Sequence, residues 1–264
     1  MQMITTLYHS NCNLQNLSHS MQNAEKNALE WFATNKLLCN QSKTQHLTLS
    51  LMPNIENKSV KLLGFLIDTK LGWGPQIDGI CKKLSRVVYL FWKLRDLVSM
   101  DFLKTAYYGL FYSHLTYGIL LWGHSPAVAD ILILQKKVIR IMCRVDQMEH
   151  CKPLFVQLNL LTVVNLYILQ VLLYTKNNLH TYFTRHSIHS HNTRGKDFLD
   201  LPQHRLAKSG NSYQLNSIKF FNRLPVAAHI TPYKKFKNKI MEYLLKNPFY
   251  SITEFMEANI DVQF

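Results

Sequence analysis

The sequence predicts a mainly α-helical protein with a small α+β part at its N-terminus. Two observations carry this. The apolar residues repeat with a period of about 2 in short stretches before Gly72, and with a period of about 3.6 from Pro75 onward. In addition, 47% of the 264 residues are hydrophobic, enough to build a sizeable core around the helices.

The elements follow in order. Residues 5–10 are short, β-prone and polar-flanked, like the tail of a strand. Leu17, Met21, Ala24, Ala28, Leu29, Trp31 and Phe32 then recur near helical spacing, with Asn16 or Ser18 able to cap the start. Leu47, Leu49 and Leu51 alternate with Thr48 and Ser50, which predicts a strand. After Pro53, the run Val60–Asp68 with Gly64 inside predicts a strand pair or a bulge beside it. Pro75 opens a helix whose apolar stripe is Ile77, Ile80, Cys81, Leu84, Val87, Val88, Phe91 and Leu94, with Lys82, Arg86 and Lys93 on the other side. A helix over 102–122 is apolar nearly all round and should be central. Another is expected over 128–145, carrying Lys136, Lys137, Arg140 and Arg144, and more helical pattern follows Pro153 up to about Lys176. Residues 177–211 are rich in His, Arg, Lys, Ser and Asn and read as a long basic loop. Helical pattern returns at 215–224, 236–245 and 252–258. The expected division is 1–74, 75–150 and 151–264.

Lys and Arg total 30 against 16 acidic residues, a formal charge of +14. Nucleic acid is the first anion to consider and an anionic membrane surface the second. Residues 154–174 carry no formal charge over the length of a bilayer-spanning helix. They include Gln157, Asn159, Thr162, Asn165 and Gln170, however, and amides are satisfied more easily in a packed core than in lipid. No membrane partner is expected. Cysteines 12, 39, 81, 143 and 151 form an odd set without a CxxC, which suits reduced thiols in an intracellular chain, nuclear or cytoplasmic. The N-terminus has no basic start and no long apolar run, so no signal peptide is expected. His186, His189 and His191 lack a partner cysteine pair, and no metal site is expected there.

Several segments, in order, resemble the C-terminal half of jockey-type and related LINE (non-LTR retrotransposon) reverse transcriptases. Residues 13–47 resemble the helix after the catalytic strand and the N-x-x-K-T turn, here Asn40, Lys43 and Thr44. LLGFLID at 62–68 resembles the LGxxID hairpin, and YYGLFYSHLTYGILLWG at 107–123 the helix beyond it. HNTRGK at 191–196, FFNRLP at 220–225 and 235–255 resemble the segments that close the family's chain. The resemblance implies the end of a truncated palm followed by a helical thumb and a helical C-terminal region. It also implies an RNA, DNA or RNA–DNA hybrid partner. Lys43 would lie near an incoming nucleotide, or else be a surface lysine at a turn. Lys61 and Gly64 would belong to a primer-grip hairpin, with Gly64 admitting a nucleic-acid backbone, or else Leu62, Leu63, Phe65 and Leu66 simply pack a core; both can hold on different faces. Lys82, Arg86 and Lys93 would follow duplex phosphates, or else form an ordinary solvated face. Arg194 and Lys196 would add contacts from the basic loop.

In the family, a Tyr/Phe-Ala-Asp-Asp turn helps to hold two Mg²⁺ ions just before the residues matched here by Thr5–Tyr8. Met1–Ile4 stand in that place, and the first acidic residue is Glu25. The codons TAT GCA GAT GAT, read one base later, begin ATG CAG ATG AT and spell Met-Gln-Met and the start of Ile. The hypothesis is that Met1–Ile4 are the aspartate motif out of frame, the alternative being a start Met that simply happens to lie there; the absence of in-frame or near-frame polymerase sequence 5′ of Met1 would refute it. The expectation is therefore a reverse-transcriptase fragment without catalytic residues or a cofactor of its own, retaining nonspecific nucleic-acid binding. The alternatives are an active enzyme, if the missing aspartates are supplied, and a host interaction or membrane-associated helical protein.

Overall fold

The computed structural model describes residues 5–52, 56–188, 195, 197–206, 210, 212–260 and 262. Compactness divides the chain into two units, Met1–Thr48 and Leu49–Phe264.

In the first unit, residues 5–10 do not form the expected strand. Helix α1 spans Leu14–Thr34 and begins earlier than Asn16 or Ser18. The reason is Asn13, whose side-chain carbonyl accepts from the Gln15 amide at 2.8 Å and so caps the first turn. Leu17, Met21, Ala24, Ala28 and Phe32 share one half-buried face, but no residue of α1 is buried. A 3₁₀ turn, Gln41–Lys43, follows.

The second unit opens with an antiparallel hairpin, β1 (Ser59–Leu62) and β2 (Phe65–Asp68), in the register Val60↔Ile67 and Leu62↔Phe65. Leu63 and Gly64 both take positive φ, +49° and +87°, as a two-residue turn of the primed type requires. The strand expected over 47–51 does not form. The Ser50 amide donates to the Thr69 carbonyl just after β2 at 3.1 Å, but no ladder forms among the described residues, and Leu49 and Leu51 stay exposed. Alternation alone cannot hold a strand that lacks a hydrogen-bonded ladder and a surface to cover.

Helices fill the rest: α2 (Gly74–Leu94), α3 (Met100–Ala106), α4 (Ser113–Thr116), α5 (Ile119–Trp122), α6 (Val128–Cys143), α7 (Cys151–Leu158), α8 (Val163–Asn177), α9 (Arg185–Ile188), α10 (Tyr213–Phe221), α11 (Ala227–Ile230), α12 (Tyr233–Lys246) and α13 (Ile252–Glu257). The single helix expected over 102–122 is central but broken. A π-helical segment, Tyr107–Tyr112, joins α3 to α4, and Gly118 at φ +63° ends the run before α5. Leu103, Tyr107, Phe111, Leu115, Ile119 and Trp122 nonetheless share the buried face.

The charge-free stretch becomes two helices, α7 and α8, which meet at 54° where Asn159 turns left-handed. Among the described residues no single helix is long and apolar enough to cross a membrane; this bent pair passes by length and composition only. Val163, Leu166, Tyr167, Ile168 and Val171 of α8 are fully buried, and α8 packs against α5, α6, α10 and α12. One core cluster runs from Trp73 to Phe255, so side chains on both sides of position 150 share it.

The basic loop is better anchored than its composition suggests. Leu199 is buried and pairs with Thr184 through an isolated bridge. The Asn222 side chain accepts from the Leu199 amide at 2.9 Å and donates to its carbonyl at 2.8 Å.

Candidate nucleic-acid interface

Asp68 fixes the start of α2. Its buried carboxylate accepts from the Gly72 and Trp73 amides, both at 2.9 Å, which holds Trp73 in a left-handed conformation just ahead of the helix. The Gln76 side chain accepts from the Leu66 amide at 2.9 Å and ties the first turn of α2 to β2. Ile77, Ile80, Leu84 and Phe91 are buried, chiefly against α6.

This burial forces Lys82, Lys83, Arg86 and Lys93 outward, and all four are exposed. Lys82, Arg86 and Lys93 follow one another at helical spacings along one line. Among the described residues none of the four forms an ion pair. The line also carries rings that the sequence reading missed. Tyr89 is 62% exposed and Trp92 50%. Their centroids are 6.4 Å apart with planes 25° from parallel, and the Lys93 ammonium lies over both, 4.8 Å from the Trp92 ring and 5.7 Å from Tyr89. The signal was available, because Tyr89 and Trp92 fall outside the Ile77–Leu94 stripe.

Other expected residues are placed differently. Lys43 sits exposed in its 3₁₀ turn within the first unit. Lys61 is exposed on β1 opposite Leu66. Gly64 is accounted for by the hairpin itself. Its φ suits glycine, and a Cβ there would meet the Tyr117 hydroxyl at 3.3 Å. That hydroxyl donates to the Leu63 carbonyl at 2.6 Å, while the Tyr117 ring stacks on Phe65 at 4.7 Å. Arg194, Lys196, His189 and His191 lie outside the described residues. Among the described residues no three His, Cys, Asp or Glu side chains gather as metal ligands.

The cations of α6 are largely engaged within the protein. Lys136 lies 3.6 Å from the Tyr250 ring centre, and desolvation lowers its pKa. Arg140 donates to the Glu149 carbonyl at 2.9 Å, and Arg144 to the Arg95 carbonyl at 2.7 Å. Lys137 stays exposed. A second basic surface, absent from the sequence reading, lies on α12, where Lys234, Lys235 and Lys237 are exposed. Glu242 on the same helix is committed to Lys246 at 2.8 Å, which holds its carboxyl below the usual range. A scan against protein-family models, a search of curated proteins and a search of solved structures each return no match for this chain.

Proposed function

We propose that the chain is the end-of-palm, thumb-like and C-terminal part of a non-LTR retrotransposon reverse transcriptase. In this reading it has no polymerase chemistry of its own and binds RNA, DNA or their hybrid through backbone phosphates. The observation that carries the binding is the line Lys82–Arg86–Lys93, exposed and, among the described residues, free of ion pairs, on a helix whose opposite face is locked into the core. Cations one and two turns apart along one face suit a phosphate path, and each phosphate contact releases condensed counterions. The origin rests on the ordered resemblance of residues 13–255 to that family.

Filter binding to an RNA–DNA hybrid at two salt concentrations tests the reading. Wild-type affinity should fall steeply with salt. The Lys82→Gln/Arg86→Gln/Lys93→Gln variant should bind more weakly, with a slope flatter by about one unit per lost phosphate contact. Primer extension on poly-rA/oligo-dT with Mg²⁺ in the same samples should give no incorporation. An unchanged slope and affinity in the folded variant would reduce the line to a solvated face.

A further inference from the structure

We propose that the outward face of α2 is a stacking platform for unpaired bases, with Tyr89 and Trp92 supplying ring faces beside the phosphate track of Lys82, Arg86 and Lys93. The ligand is then single-stranded RNA or DNA in preference to a duplex. This rests on the nucleic-acid reading above and narrows it to a class of strand.

Val88 and Phe91 turn toward the core, yet Tyr89 and Trp92 keep 62% and 50% of their surface in solvent. Large aromatic surface left open in this way is a candidate contact surface. The Lys93 ammonium over both rings settles the character of the patch. A face built to dock an apolar protein surface would have to strip water from that ammonium, at a cost. A nucleotide satisfies both parts, because a base offers a π-face to the ring while its phosphate accepts the cation.

Charge selects the same partner. The only carboxylate on α2 is Asp78, near its start, and Asp96 just beyond the helix is held by Arg95 and Arg144. From Lys82 to Lys93 the helix rises about 16 Å, enough to follow several phosphates at an axial spacing of about 3.4 Å. A duplex hides its base faces within the stack and would use the cations alone. An open strand uses the cations and the rings together.

The test compares a labelled oligo-dT strand with the same strand annealed to oligo-dA, by fluorescence anisotropy. Wild type should hold the single strand more tightly. The double variant Tyr89→Leu/Trp92→Leu keeps the charge and much of the apolar surface but removes the rings. It should lose about five- to a hundredfold in single-strand affinity, with duplex affinity and the salt slope unchanged. Circular dichroism establishes that the variant is folded. If the Leu variant binds the single strand as wild type does, while the triple Gln variant does not, the stacking proposal is overturned and the phosphate reading stands. Equal losses on single strand and duplex also overturn it. If wild type binds neither, the nucleic-acid reading itself fails. A chain that binds neither but sediments as a dimer dissolved by Tyr89→Lys has a copy-to-copy face here instead.

Discussion

The buried amides show most directly how single residues hold this fold. Gln135 is fully buried, donates to the Tyr107 hydroxyl and the Leu161 carbonyl, and accepts from the Val163 amide. Asn165 donates to the Leu244 and Asn247 carbonyls and accepts from the Phe249 amide, closing the C-terminal end of α12. The cost of burying an amide is offset when each of its polar atoms finds a partner. His229 is a different case. Its ring packs 4.7 Å from Phe221, and its Nε2 is buried without a hydrogen-bond partner among the described residues. Desolvation first, then the Lys176 ammonium, pushes its pKa down, with Asp197 opposing. The folded protein therefore favours the neutral ring and binds fewer protons than the unfolded chain. Stability is present above the unfolded value, about 6.5, and is lost as pH falls from there toward the depressed folded value. Melting temperature should drop on acidification through that window, and His229→Phe, which cannot titrate, should flatten the dependence. Superimposable melting curves for the two proteins across that range would rule this out; His114, shifted the same way, leaves some dependence in the variant.

At the scale of elements, the sequence was legible where a helix had a one-sided apolar stripe and opaque where tertiary partners decided. The α2 stripe and its basic side came straight from the spacing of Ile77–Leu94. The hairpin over 60–68 was legible from its apolar run and Gly64. The break in the 102–122 run was not, because its apolar face continues through it from Leu115 to Ile119. The break is where the hairpin packs. Ending α4 at Thr116 puts Tyr117 on Phe65 and Leu63, and leaves Gly118 under the Phe65 ring. A Cβ on Gly118 would lie 2.3 Å from that ring while the backbone stays at φ +63°. Overpacking and left-handed strain together should make Gly118→Ala cost about 2–4 kcal/mol. Chemical denaturation measures this, and a loss below about 0.5 kcal/mol, the range of ordinary surface changes, would mean that the hairpin is not seated on the break.

Across the whole molecule, compactness parts the chain at Thr48, between residues 13–47 and 62–68, both of which the resemblance assigns to the palm. Periodicity could place α1 but not say whether its apolar face has a partner. Leu17, Met21, Ala24, Ala28 and Phe32 are only half-buried, and Trp31 is 56% exposed. By contrast the core cluster begins at Trp73 and closes through α8, α10, α12 and α13. Stability should follow the core. A chain starting at Leu49 should unfold in one cooperative transition at nearly the full-length temperature, since among the described residues the core cluster is built from residues of the second unit. The complementary peptide, residues 1–48, should be only marginally helical in water, because a single helix of this length without packing barely offsets its nucleation cost. Calorimetry on the shortened chain and circular dichroism on the peptide measure the two halves of the prediction. A large fall in the shortened chain's melting temperature, or a cooperatively folding peptide, would show that α1 carries structure beyond its own turns. The shortened chain also keeps the α2 line, so under the proposed function its nucleic-acid affinity should change only by the share that Lys26, Lys36 and Lys43 contribute.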